Sequence, residues 1–383
     1  MKHYPFLDLA RVNARYIDAL HEAAARVIDS GRYIGGDECE ALEHDLCSLC
    51  SVGHAVGVST GLDALRLILE AYKAMGRLSE GDEVIVPANT FIASVLAIVH
   101  AGLRPVLTDP DETTMNLSGA IVRRALTDRT RVIMPVHLYG RLAWDKEMAS
   151  LCAEHPDLIV VEDAAQAIGA VSPVAGIGGN HSAGALGHAG AFSFYPTKNV
   201  GALGDAGAVV TDDDTLADTV RALANYGSFR RYENRYAGFN CRLDPIQAAM
   251  IRAKLADARR AAARRFERAA AYDHEICHPI VIKPEISRGA TDQVWHQYVI
   301  RIPGHRDGMR RYLSEMGVDT DIHYPTPPHR QPCFSEFSFL SLPVADRLAS
   351  EVLSLPISDC TSVRDAAEIS HIINRFEPDK YPD

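Results

Sequence analysis

The chain is predicted to be an α/β protein. A mostly parallel central sheet flanked by helices is expected, with a smaller α+β domain at the C-terminal end. Three observations predict this. Short apolar runs alternate with helical periods between residues 54 and 212. Those runs lack clean polar alternation, which marks strands buried on both faces. From about residue 240 the text changes to a long Ala- and Arg-rich helical pattern, followed by isolated strand-like runs. At 383 residues the chain exceeds one small core, so two domains are expected, at 1–245 and 246–383.

In chain order, residues 15–50 read as helix, interrupted by the glycine-rich "SGRYIGG" at Ser30 to Gly36. Seven strand-like runs follow: "HAVGVS", "EVIVPA", "RPVLTD", "RVIMPVHL", "DLIVVED", "AFSFYP" and "AGAVVTD". Between the first two lies "GLDALRLILEAYKAM", which sets Leu65, Ile68, Leu69, Tyr72 and Met75 on one helical face. The stretch from Val84 to Leu103 has no Asp, Glu, Lys or Arg, but Pro87, Asn89, Thr90 and His100 interrupt it. It reads as strand, turn and buried helix rather than a membrane span. "GALGHAG" and "GALGDAG" read as two glycine turns around one strand. Residues 244–276 read as one long helix with Pro245 near its start. Strands are expected in "VWHQYVIRI" and "VDTDIHYP", and a Pro-rich loop over 325–342.

The formal net charge of -11 argues against a nucleic-acid partner. It leaves room for an anionic small molecule, because arginines still cluster locally. "MKHYPFLDLA" lacks the apolar core of a signal peptide. The eight cysteines are scattered, and the C-x-x-C of Cys47 and Cys50 falls in a helical pattern with no second pair at zinc-site spacing. Reduced thiols, a cytoplasmic location and no metal are expected.

Four features carry chemistry. Asp163 ends a buried strand, at the sheet edge where open α/β sheets bind ligands. Lys198 follows the strand "AFSFYP" and precedes a run of glycines; the chain has seven lysines, and none lies between Lys146 and Lys198 or between Lys198 and Lys254. A desolvated lysine becomes a usable nucleophile or base. "GVSTGLDAL" places Gly61 at a helix start, where free N–H groups bind phosphate. Phe91 follows another strand end and is able to stack on a planar ring. Singly, each has an ordinary reading: a capping carboxylate, a loop lysine, a common α/β turn, a core aromatic. Together they supply the amine, the carboxylate, the phosphate cup and the stacking ring of a pyridoxal phosphate site.

The ordered segments "GVSTGLDALRLIL", "GDEVIVPANTFIAS", "PVHLYGR", "VVEDAAQAIGA", "GAFSFYPTKNVGALGDAGAVVTDD", "RALANYGS" and "GFNCRLDPIQAAMIRAKL" resemble the DegT/DnrJ/EryC1/StrS nucleotide-sugar aminotransferases. These form a branch of the fold-type I pyridoxal phosphate enzymes. The resemblance implies that Lys198 is the Schiff-base lysine, Asp163 pairs with the pyridinium nitrogen, and Gln166 lies near the ring and its 3′-oxygen. Phe91 would stack on the ring, with Gly61, Leu62 and Ser193 at the phosphate. Asn240 would reach the cofactor phosphate of a neighbouring subunit, which implies a homodimer with sites at the interface. It also implies a nucleoside diphosphate keto-sugar as substrate, with Arg230, Arg231 and Arg235, and Tyr226 nearby, as candidates for its diphosphate. Each arginine taken singly equally reads as part of a solvated basic loop. Arg32, Tyr33, Tyr324 and His329 are further substrate candidates.

Two departures stand out. Thr60-Gly61-Leu62 replaces a common Asn-Gly-Thr, removing a threonine hydroxyl and leaving more to the backbone amides. "SPVAGIGGNHSAGALGH" extends a region that is short in many relatives and is expected to bear on the mouth of the site. "GLDAL" resembles the subset acting on dTDP-3-keto-6-deoxyhexoses, so transamination of such a sugar with glutamate as amino donor is expected. The alternatives are a 4-keto-sugar aminotransferase using a UDP or GDP sugar, or a pyridoxal phosphate-dependent sugar dehydratase. Some relatives that dehydrate have histidine in place of the lysine, and this chain keeps Lys198. A nicotinamide-dependent oxidoreductase needs G-x-G-x-x-G after the first strand, which "GVSTGLDA" does not supply.

Overall fold

The computed structural model describes residues 2–286 and 291–383. Three helices open the chain: α1 (Leu9–Ala14), α2 (Ile17–Ser30) and α3 (Asp37–Cys50). The expected break between the last two is built on glycine. Gly31 ends α2 at φ 64°, and Gly36 precedes α3 at φ 86°, both left-handed values that glycine adopts without a Cβ clash. Cys47 and Cys50 are free thiols on α3.

The main sheet is made by β1 (His54–Val58), β2 (Glu83–Pro87), β3 (Arg104–Thr108), β4 (Thr130–Ile133), β5 (Ile159–Asp163), β6 (Ala189–Ser193) and β7 (Gly207–Thr211). Its spatial order is β1-β7-β6-β5-β4-β2-β3. Only β7 runs against its neighbours, pairing antiparallel with both β1 and β6. The strands are short and mostly buried on both faces, because helices cover the sheet on each side. The connecting helices are α4 (Gly61–Ala74), α5 (Ile92–His100), α6 (Gly119–Ala125), α7 (Lys146–Glu154) and α8 (Asp214–Ala224). On α4 the expected face is buried through Leu65, Ile68, Leu69 and Tyr72, with Met75 half-buried at its C-cap. The apolar stretch 84–103 is β2, a turn and α5. Among the described residues no helix is long and apolar enough to cross a membrane.

A hairpin, β8 (Ser228–Arg230) and β9 (Glu233–Asn234), follows α8. The expected single helix over 244–276 is two helices, α9 (Pro245–Leu255) and α10 (Ala258–Glu275). The halves pack on different bodies, α9 on α2 and α3, α10 on the C-terminal unit. Asp257 holds the corner by accepting from Tyr16 Oη, Arg260 Nε and an Arg264 guanidinium nitrogen at 2.7–2.8 Å.

The C-terminal unit contains β10 (Tyr298–Arg301), α11 (Arg306–Glu315), α12 (Pro343–Glu351), β11 (Val352–Leu355) and α13 (Val363–Ile373). β10 falls in the expected run "VWHQYVIRI" and pairs antiparallel with β11. "VDTDIHYP" is not a strand; it makes only single bridges, Val318 with Tyr4 and Asp321 with Ser354. β11 takes the place beside β10 instead. It starts where α12 ends, with no turn residue to announce it.

The segment 171–188 packs against β5 and the end of α3. Glu162, fully buried on β5, accepts from the N–H groups of Gly184, Leu186 and Gly187 at 2.7–2.8 Å and from His137 Nε2 at 2.7 Å. Asn180 Nδ2 donates to the carbonyls of Cys50 and Ser51.

Candidate active site

The parallel strands deliver their carboxyl ends to one sheet edge, and a cavity of about 330 Å³ opens there. β1 leads into Thr60 and α4, β2 into Phe91 and α5, and β5 ends at Asp163. β6 ends at Ser193, just before Lys198. All of these residues line the cavity. From the C-terminal unit come His296, Gln297, His323 and Tyr324.

Lys198 sits in the connection between β6 and β7. Burial draws its amine down from 10.5 to about 8, with the Asp163 carboxylate opposing the fall. Asp163 Oδ2 accepts from Ser94 Oγ at 2.7 Å, and Oδ1 from the Ala165 N–H at 3.2 Å. Thr90 and Ser94 hydroxyls are 2.8 Å apart. Because Ser94 gives its proton to Asp163, Thr90 donates to Ser94. This chain fixes the carboxylate at the cavity wall while it stays nearly closed to bulk solvent.

At the start of α4, Thr60 caps the helix by accepting from the Asp63 N–H at 2.9 Å. The N–H groups of Gly61 and Leu62 remain free of intrahelical acceptors, as helix starts require. A Cβ at Gly61 would lie 2.6 Å from Ser193 Cβ and 3.1 Å from its Cα. The glycine therefore lets the helix start and the β6 end converge on one anion-sized recess.

Gln166 is oriented at both ends. Its Oε1 accepts from the Tyr139 N–H at 2.5 Å, and its Nε2 donates to Tyr324 Oη at 3.2 Å. Burial, then Asp163, pushes the Tyr324 phenol up and keeps it neutral. The Tyr324 ring packs on Phe91 with centroids 5.1 Å apart. Phe91 is 51% exposed, its ring turned to the cavity rather than to the core.

The cavity thus brings together Gly61, Leu62, Phe91, Asp163, Gln166, Ser193, Lys198 and Tyr324. A buried amine, a fixed carboxylate and a glycine-walled amide cup fit pyridoxal phosphate. Arg32, Tyr33, Tyr226, Arg230, Arg231, Arg235 and Asn240 are all exposed, and none lines the cavity of its own chain. Arg32 pairs with Asp37 at 2.9 Å. Arg231 lies over the Tyr232 ring, and Arg235 over Phe229 and Tyr236. His329, expected at the sugar nucleotide, is instead fully buried and outside the cavity. Its Nε2 meets Asp346 Oδ1 at 2.9 Å, under the proline-rich turn. The 171–188 segment contributes no lining residue.

Sequence reading missed Ser94, His296 and His323. Ser94 had a usable signal, three positions beyond Phe91 in "PANTFIAS", one helical turn along α5. His323 adjoins Tyr324, which was read as a candidate; His296 had no signal, because it arrives from a unit whose docking no local pattern encodes.

The family profile of DegT/DnrJ/EryC1/StrS aminotransferases matches residues 16–374. The chain is 43% identical over 372 residues to the dTDP-3-amino-3,6-dideoxy-alpha-D-galactopyranose transaminase of Aneurinibacillus thermoaerophilus, covering 97% of this chain and 99% of that protein. It is 42% identical to the dTDP-3-amino-3,4,6-trideoxy-alpha-D-glucose transaminase of Streptomyces venezuelae, covering 92% and 90% of the two chains. Among solved structures it is similar to S. venezuelae DesV in complex with a ketimine intermediate, with a TM-score of 0.90, 40% identity and 98% of each chain covered. Similarity extends to ntda from Bacillus subtilis with bound cofactor PMP, with a TM-score of 0.86 and 27% identity over 98% of this chain and 86% of that one. The chain belongs to the DegT/DnrJ/EryC1/StrS aminotransferase family.

Proposed function

We propose that the protein transfers an amino group from glutamate to the keto carbon of a nucleoside-diphosphate deoxysugar, of the dTDP-3-keto-6-deoxyhexose class. The observation that carries the reading is the convergence of Lys198, Asp163 and the free amides of α4 in one cavity. The sugar assignment is supported by the names of relatives matched over nearly their whole length.

When bound, pyridoxal phosphate supplies the electron sink that makes carbon–hydrogen bonds next to the transferred nitrogen acidic. The residues divide the remaining work. Lys198 is the covalent tether. Once free, its amine moves protons at the donor's α-carbon and at the former keto carbon of the sugar. Asp163 holds a proton on the ring nitrogen, and Ser94 keeps that carboxylate in place. The Gly61 and Leu62 amides with the Ser193 hydroxyl bind the phosphate. Phe91 covers one ring face, and Gln166 with Tyr324 supplies polar contacts at the ring edge.

No arginine among the described residues lines the cavity, yet a diphosphate sugar and glutamate both carry negative charge. We take this to support a homodimer, with Asn240, Arg230, Arg231, Arg32, Tyr33 and Tyr226 serving the neighbouring subunit's site. Eight free cysteines fit a reducing cytoplasmic setting. The test is a panel of dTDP-, UDP- and GDP-linked 3- and 4-keto-sugars with glutamate, read by product mass and NMR. An amino sugar from the dTDP-3-keto substrate is expected. A deoxygenated product without nitrogen would establish the dehydratase alternative.

A further inference from the structure

His296 lines the cavity at 6% exposure and takes no part in the proposed division of work. Its Nδ1 lies 2.9 Å from Asn199 Oδ1. The Asn199 amide is oriented by its own Nδ2, which donates to the Val294 carbonyl at 3.2 Å. The oxygen must therefore face the histidine, so Nδ1 carries the proton and Nε2 carries a lone pair. Nε2 has no partner among the described residues and is not sealed in the core, so it opens on the cavity. Asn199 is the next residue after Lys198, so the contact ties the ring to the lysine's own loop.

The surroundings keep this ring neutral. Burial, then Lys198, Arg265 and His323, hold its pKa well below the usual range. Arg265, buried on α10 behind the ring, donates to the carbonyls of Trp295 and His296 at 3.2 and 3.3 Å. Asp163 of β5 faces Lys198, and His323 and Tyr324 line the cavity from the C-terminal unit. A neutral imidazole beside an amine accepts from it without repelling its charged form.

We propose that His296 is a positioning residue for Lys198: its Nε2 lone pair, aimed into the cavity by the Asn199 contact and unpartnered among the described residues, is the acceptor toward which the lysine amine turns during proton transfer. The contact would hold the amine's own lone pair toward the reacting carbon. The inference rests on the proton-transfer role given to Lys198.

Two substitutions separate the lone pair from the packing. His296→Asn keeps a donor for Asn199 Oδ1 and places nothing at the Nε2 position. His296→Gln reaches the Nε2 position with an amide oxygen. The full-length chain freed of cofactor is labelled with trace acetic anhydride across a pH series, and acetylation of Lys198 is read by mass spectrometry. The ammonium form loses an acceptor in His296→Asn, so its midpoint falls by about one pH unit, the size a single charge-assisted hydrogen bond supports. His296→Gln keeps the wild-type midpoint. An unshifted midpoint in His296→Asn overturns the proposal. So does an equal shift in both variants, which would assign the effect to packing. In the loaded enzyme, His296→Asn lowers kcat with KM for the keto-sugar unchanged. The labelling needs neither cofactor nor sugar, so a wrong substrate assignment leaves its outcome intact.

Discussion

Lys198 and Asp163 are held in one cavity by unlike means, the amine by burial and the carboxylate by a serine relay. On the proposed function, replacing Lys198 by Ala removes both tether and proton carrier. Proton transfer by a positioned group contributes roughly 10²–10⁴-fold, so at least that loss in kcat is expected in a coupled amino-sugar assay. The amine also leaves a signature in stability. Its pKa is about 8 when folded against 10.5 ordinarily, so between those values the unfolded chain binds more protons and stability rises with pH. Below about 8 both states are protonated, and the folded protein carries the full cost of the desolvated charge. In the cofactor-free chain, Lys198→Met should therefore melt above wild type at neutral pH. The gap should close as pH rises through the window from about 8 to 10.5. A gap independent of pH would mean that the lysine is solvated.

At the scale of elements, the four features read from sequence met because each follows a strand, and the parallel strands end on one edge. Gly61, Phe91, Asp163 and Lys198 were legible for that reason. Of the C-terminal contribution only Tyr324 was legible, since β11 follows a helix without punctuation and "VDTDIHYP" has β-like residues but no partner to pair with. The long 244–276 pattern hid a break because alanine and arginine favour helix on both sides of it. His329 is buried beside Asp346 and outside the cavity of its own chain, a burial that residue type alone does not foretell. The meeting of α4 and β6 gives a sharp prediction. Gly61→Ala would force Cβ against Ser193 backbone as well as side chain. Overpacking of this kind costs about 1–3 kcal/mol in the folded chain itself, so the thermal transition of the cofactor-free protein should fall by roughly 2–4 °C per kcal/mol. Spreading of the recess should also weaken cofactor binding in an absorbance titration.

At the scale of the whole molecule, we propose the two-domain division expected from sequence, with the junction moved from 245/246 to the turn at Ala256–Asp257, where packing partners change. Charge adds to the apolar packing that joins the domains, in which Val299, Ala345 and Val352 share one core cluster with Leu107 and Met115. Arg301 of β10, 6% exposed, meets Glu351 at 2.7 Å in its own unit and Glu112 at 2.7 Å across the junction. Arg347 of α12 also reaches Glu112. Removing one member of a buried pair leaves the other charged and unpaired, at a cost of about 3–5 kcal/mol. Arg301→Ala should lower unfolding free energy by that order in denaturant titration. A change below about 1 kcal/mol would place the pair among surface contacts.

The reversed direction of β7 has a consequence for how the site assembles. β6 and β7 are joined as a hairpin, and pairing continues into the lysine loop, where the Phe194 N–H donates to the Ala206 carbonyl and the Ala202 N–H to the Phe194 carbonyl. Both feet of that loop stand on adjacent strands, so its closure needs only short-range contacts. Asp163 and the α4 amides reach the same edge only after crossovers that join distant stretches of chain, and such contacts carry the larger loop-closure entropy. The lysine platform is thus the most locally encoded part of the site and closes at the smallest entropic cost, while the carboxylate and the helix-start amides depend on the crossovers.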